Sequence, residues 1–288
     1  MTPDEVATPN PESTIVAGVA FSPHAQLIAA TAFAFARRLG ARVLFVHVGE
    51  DVETTRARLR AMLRAANVDT ACELILRSGD PADVLTGVAE QVNATLLVTG
   101  ALETEGMLQR IFGSVARKIA RRALCPVLLL PLSVHAIPRL DRVVLGIRAG
   151  EEFSGMLAFT LRLLRSAGQT RLHVVQEADY LNRLAARYVD EREATEFENA
   201  QRSMLADTLA EYDLTGLDIE MDVLDDSTEG IAVIEYARRI EADLVITQAP
   251  PRALTLRDRY ISHPADSVLF SLPCGILLYR ADSTAGKE

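Results

Sequence analysis

Tryptophan is absent from this chain, and all aromatics together make up only 5% of its 288 residues. Whatever core it builds must therefore be aliphatic. Cysteine is nearly as scarce. Cys72, Cys125 and Cys274 are far apart, odd in number and form no CxxC pair, which argues against a disulfide framework or a cysteine zinc site. They fit buried thiols in a reducing cytoplasm. No apolar run reaches the roughly 18 to 20 residues that span a bilayer, so membrane insertion is not expected. The opening MTPDEVATPNPES is acidic and proline-rich, unlike a signal peptide, and reads as a disordered leader over residues 1–13. Excess positive charge is missing too: the formal net charge of -9 argues against a general nucleic-acid or anionic-membrane binder. Walker A, GxGxxG, GxSxG and HExxH patterns do not occur, and the five histidines show no ligand spacing. No catalytic residue and no metal site is assigned, and the chain is expected not to be an enzyme.

What is present is aliphatic and periodic. Hydrophobic residues make up 49% of the chain, and short runs of Val, Ile and Leu alternate with amphipathic segments. Thr14 to Phe21 reads as a buried strand, followed by Ser22-Pro23 as an N-cap and a helix to Arg38 that stops at Gly40. Arg42 to Val48 and Cys72 to Leu76 are further strands, with a charged, exposed helix from Val52 to Ala66 between them. Asp80-Pro81 starts a helix running to Val92. His47, inside an apolar strand, reads as a packed residue rather than a base.

The stretch Leu96 to Pro131 organises this half. The strand Leu96 to Val98 ends at Thr99-Gly100. Gly113-Ser114 opens a basic helix from Val115 to Ala123, and Val127 to Leu130 form another strand. Free N–H groups and the positive dipole end at such a turn suit a phosphate.

After a linker at 132–140 the pattern restarts. Gly18 and Gly40 lie 128 before Gly146 and Gly168; Thr99 and Ser114 lie 148 before Thr247 and Ser262. The twenty extra residues fall within a charged stretch read as one long inserted helix, about 178–213, either a solvated arm or a subunit interface. The second half continues with strands at Arg142 to Ile147, Arg171 to Gln176, Ile219 to Leu224, Leu244 to Thr247 and Ile276 to Tyr279. Helices are expected at Phe153 to Ser166, Gly230 to Ile240 and Pro264 to Leu272. Domains at 14–131 and 141–280, with a tail at 281–288, predict an α/β fold: two doubly wound five-stranded parallel sheets in pseudo-twofold tandem.

With these motifs in place, both halves resemble the universal stress protein family, adenine-nucleotide-binding members included. The resemblance implies a cytoplasmic stress-response or regulatory protein whose first half holds ATP or another adenine nucleotide, with Mg, weakly. The residues it points to are Gly100, Gly113, Ser114, Val115, Ala20 and Val48. Two departures weaken the site. Glu103 stands where the family's second glycine belongs, with Gly106 out of register, and Ala20 stands where the family places an Asp. Arg110, Arg117 and Lys118 lie close enough in sequence to offset some of the charge on Glu103. In the second half Arg148, Gln248, Pro251 and Ile261 replace the corresponding residues and only Ser262 remains, so no site is assigned there. The family pairs domains through their last strands, which places Val127 to Leu130 against Ile276 to Tyr279. A homodimer and an unidentified protein partner are the partners this reading allows. A nucleotide-independent interaction module and a slow ATP-hydrolysing enzyme are its alternatives.

Overall fold

A computed structural model describes residues 13–68, 72–100, 114–148, 152–165, 170–177, 191–224, 231–250 and 274–280. The first half runs β1 (Thr14–Gly18), α1 (Ala25–Leu39), β2 (Arg42–Val48), α2 (Glu53–Ala65), β3 (Glu73–Arg77), α3 (Pro81–Gln91), β4 (Leu96–Gly100), α4 (Ser114–Arg122) and β5 (Val127–Leu130). The second runs β6 (Arg142–Arg148), α5 (Ser154–Leu164), β7 (Thr170–Glu177), α6 (Glu191–Ala210), β8 (Leu217–Leu224), α7 (Ile231–Arg239), β9 (Leu244–Gln248) and β10 (Gly275–Tyr279).

The two expected sheets join edge to edge into one ten-stranded sheet, ordered β3-β2-β1-β4-β5-β10-β9-β6-β7-β8. Neighbours within each half are parallel; the join between β5 and β10 is antiparallel, with Ile276 opposite Leu129 and Leu277 opposite Leu128. The offset of 148 carries each of these pairs onto the other, so the join is itself a pseudo-twofold contact between the two last strands. The carboxyl ends of the two halves consequently open at opposite ends of the sheet.

Alternation along each strand explains the layers. Ile15 and Ala17 face one core with α1, α2, α5 and α6; Val16 faces the other with α3, α4 and α7. Burial on both faces is why these strands read as continuous apolar runs. Cys125 and Cys274 are buried, Cys72 is half-buried, and none of the three forms a disulfide; burial pushes the Cys274 thiol up to about 12.

Several local expectations need correction. β1 stops at Gly18 rather than Phe21: Val19 N–H still reaches Val46 O, but the Val19 carbonyl accepts from His47 Nδ1 at 2.8 Å and leaves the ladder. α1 begins at Ala25, not at Ser22-Pro23. Ala25 N–H bonds Ser22 O in a tight turn, His24 takes the N-cap position, and no side chain caps the helix. Its end matches expectation, with Gly40 in the left-handed region at φ 62°. Asp80 caps α3 as expected, accepting from Ala82 N and Asp83 N, with Pro81 in the first turn.

The long second-half helix changes meaning. Its described part, α6, sits between the second and third strands of its half, which is the place α2 holds in the first. Leu205 and Leu209 of α6 are buried in the same core layer as Leu59 and Leu63 of α2. Over these residues it is a lengthened counterpart of α2, packed on β8, rather than a solvated arm. It ends at Ala210, short of 213, because Glu211 and Tyr212 tighten to i→i−3 bonds and Asp213 accepts from Thr215 N–H. Residues 178–190, the expected helix Pro264 to Leu272, and most of the leader and all of the tail lie outside the described residues. Among the described residues, no helix is long and apolar enough to cross a membrane.

Candidate functional site

Strand order reverses between β1 and β4: β2 continues on one side and β5 on the other. In a doubly wound sheet this switch point leaves a crevice beyond the carboxyl ends, where a ligand can sit. The chain delivers Val19, Ala20 and Phe21 to it from β1, Val48 and Gly49 from β2, and Gly100 from β4. α4 runs back against the strands, so its N-terminal Ser114 and Val115 arrive at the same end. Of the residues the sequence singles out, Ala20, Val48, Gly100, Ser114 and Val115 are therefore gathered at one end of the first half. Ala20, Val48, Gly100 and Val115 are half-buried, and Ser114 is exposed. Gly113, Glu103, Gly106 and Arg110 lie outside the described residues.

Gly100 has a packing role as well as a position. A Cβ there would lie 2.7 Å from Ile28 Cδ1, so the absent side chain lets α1 close over the end of β4. At Ala20 a methyl group stands where the resemblance expects a carboxylate, so no charged acceptor is offered at the end of β1.

The wall beside Ala20 is aromatic and cationic, which the sequence reading missed. Phe21 is 46% exposed, its ring lies 5.1 Å from that of His47, and the Arg58 guanidinium carbon sits 4.2 Å from its centroid. Phe21 carried one legible signal, a large apolar residue directly before a turn. Arg58 reaches it from α2, and nothing local marks that contact. His47 is packed, as expected; a carbonyl can only accept, so its Nδ1 carries the proton.

The basic face of α4 is mostly committed elsewhere. Lys118 Nζ lies 3.1 Å from Asp80 Oδ2, and Arg122 pairs with Asp83. Both carboxylates sit in the first turn region of α3. The Lys118 ammonium, followed by the Asp83 N–H, holds the Asp80 carboxyl below the usual carboxylate range. Lys118 is thus bound to α3 rather than held for the crevice. Arg117, one residue nearer the helix N-terminus, has a buried Nε without a hydrogen-bond partner among the described residues.

At the corresponding end of the second half, two described residues hold one another. Gln248, at the end of β9, donates through Nε2 to the backbone oxygen of Glu152 at 3.0 Å, and the Glu152 carboxylate accepts from Ser154 N–H at 2.7 Å. The Ser154 hydroxyl, followed by its N–H, holds the Glu152 carboxyl below its ordinary range. Arg148 ends β6, where Ala20 follows β1. Pro251, Ile261 and Ser262 lie outside the described residues. Among the described residues, no group of three His, Cys, Asp or Glu side chains is placed to hold a metal ion.

The comparisons with known proteins agree with this architecture. A family model described as the universal stress protein family matches residues 49–131. No curated protein sequence matches the chain significantly. Among solved structures, a functionally unknown protein from Pseudomonas aeruginosa PAO1 is similar at 15% identity, with a TM-score of 0.66 over 93% of this chain and 92% of that one. A universal stress protein from Archaeoglobus fulgidus DSM 4304 is similar at 12% identity, with a TM-score of 0.62 over 95% of this chain and 98% of that one. At such identities the likeness shows the fold alone. Residues 49–131 thus match the universal stress protein family, and the whole chain, second half included, shares its fold with a solved universal stress protein.

Proposed function

We propose that this protein is a stress-response or regulatory binder of the cytoplasm, holding an adenine nucleotide weakly at the first-half crevice and performing no chemistry on it. The observation that carries the reading is the convergence of Gly100, Ser114 and Val115 at the switch point between β1 and β4. A nine-residue helix arrives there with its free N–H groups, which suits a phosphate. The Ser114 hydroxyl and the first N–H groups of α4 would take the phosphates; Ala20 and Val48 would flank the nucleoside.

The fit is partial, which argues for weak binding. Without a carboxylate at Ala20 the nucleoside loses a charged hydrogen bond worth about 1.5–3 kcal/mol. Lys118 is drawn away to Asp80. The second half, with Gln248 tied to Glu152, is read as having no nucleotide site.

Titration calorimetry with ATP, with and without magnesium, tests the proposal. Weak saturable binding is expected, tightened by Ala20→Asp and weakened by Ser114→Ala. No heat at millimolar ATP in both the natural chain and Ala20→Asp would sink it.

A further inference from the structure

The antiparallel join produces a second concave feature, away from the first-half crevice. Because β5 and β10 run in opposite directions, the amino ends of β4 and β5 lie beside the carboxyl end of β10. A cavity of about 790 Å³ opens there, lined by both halves. The first half contributes Glu90, Asn93 and the residues leading into β4 and β5. The second contributes one face of α5 and the end of β10. This volume lies within the range of small-molecule sites, about 300–1,000 Å³.

We infer that this cavity binds a small amphipathic anion, with a flat apolar body and a single carboxylate or phosphate group. One wall is aromatic. The Phe159 and Tyr279 rings lie 5.9 Å apart, and Gly155 makes room for them, since a Cβ there would stand 2.7 Å from the Tyr279 hydroxyl oxygen. The Arg162 guanidinium covers that wall, and Arg280 follows Tyr279 in the lining. Arg162 lies 5.5 Å from the Phe159 centroid, and Arg280 is fixed by donating through Nη2 to Ala120 O at 3.0 Å and Pro250 O at 2.8 Å. Among the described lining residues, Arg162 and Arg280 stand with a single carboxylate, Glu90. Planar guanidinium forks suit carboxylate and phosphate groups, and aromatic faces suit a flat ligand body.

The repeat shows that the fold does not demand this lining. The 128-residue offset superposes the buried positions of α1 on those of α5: Ile28 on Met156, Phe35 on Leu163, Ala36 on Leu164. It places Thr31 opposite Phe159 and Ala34 opposite Arg162. The offset of 148 places Pro131 and Leu132 opposite Tyr279 and Arg280. The two rings, Arg162 and Arg280 thus have no counterpart at the matching positions across the pseudo-twofold axis.

Calorimetric titration of the full chain with benzoate and with phenyl phosphate tests the inference and separates the two anion classes. Saturable binding of at least one is expected, with benzyl alcohol binding at least tenfold more weakly. Ala158 is exposed and borders the cavity, so Ala158→Trp should fill it and reduce affinity at least tenfold at an unchanged melting temperature. Arg162→Gln, also at an exposed position, should weaken binding tenfold and carries the test if the tryptophan variant fails to fold. ATP should not displace the bound anion, because the first-half crevice opens at the other end of the sheet. No saturation by either anion up to about 10 mM, unchanged affinity in Arg162→Gln, or displacement by ATP would overturn the inference.

Discussion

Asp80 caps α3 with its carboxylate and receives Lys118 of α4 on the same group, 3.1 Å away. One side chain thereby fixes the start of one helix and the direction of another. Asp80→Ala removes both, and calorimetric melting should fall by roughly 2–4 °C. Its native carboxyl titrates below the ordinary range, so its contribution is fully present above about pH 4 and lost as pH falls through the lowered native value. Asp80→Asn should therefore show less acid sensitivity than the natural chain.

Gly100 and Ile28 form a testable packing pair. Gly100→Ala should cost about 1–3 kcal/mol in urea unfolding, because the added methyl drives into the Ile28 side chain. Ile28→Val combined with it should recover much of that loss. Failure of the double variant to recover would mean that Gly100 is required for reasons other than close approach to α1.

The β5 edge is self-complementary, because the 148-residue offset exchanges its two central pairs with β10. Expressed alone, the first half exposes that apolar edge. It should form a dimer through two copies of β5, seen by analytical ultracentrifugation. A monomeric first half would contradict the isologous reading of the join.

His173 is 3% exposed, with Nδ1 3.0 Å from Tyr236 Oη and 3.2 Å from Glu220 Oε2, and with Nε2 buried and unpartnered among the described residues. Burial lowers its pKa, while Glu220 opposes the shift and Arg171 and Arg142 reinforce it. The unfolded chain then binds the proton more readily, so this contribution is present above about pH 6.5 and is lost as pH falls through the lower native value. The ladder places His173 beside Val144 as Leu44 lies beside Val16, so leucine is the natural replacement. His173→Leu with Tyr236→Phe should flatten the stability profile below about pH 6.5, measured by urea unfolding across pH.

The fold was largely legible because its signals are local. Val127–Leu130 lies between Pro126 and Pro131 as an unbroken aliphatic run, and Asp80-Pro81 announces a helix start within two residues. What escaped the sequence depends on contacts between distant segments. Lys118 and Asp80 are 38 residues apart, so the basic face of α4 looks available for a phosphate until α3 is packed beside it. Length and charge mark α6 as an insertion, while the burial of Leu205 and Leu209 beside Leu59 and Leu63 is visible only once the core is packed. Phe21 and Arg58 meet across two elements, and the cavity beside Arg162 exists only once the halves are joined.

That join also has a mechanical consequence. A sheet hydrogen-bonded without interruption from β3 to β8 contains no hinge between its halves, so they cannot close on a ligand like jaws. The shared sheet therefore acts as one plate across the join, and adaptation to a ligand falls to the helices and connections around it.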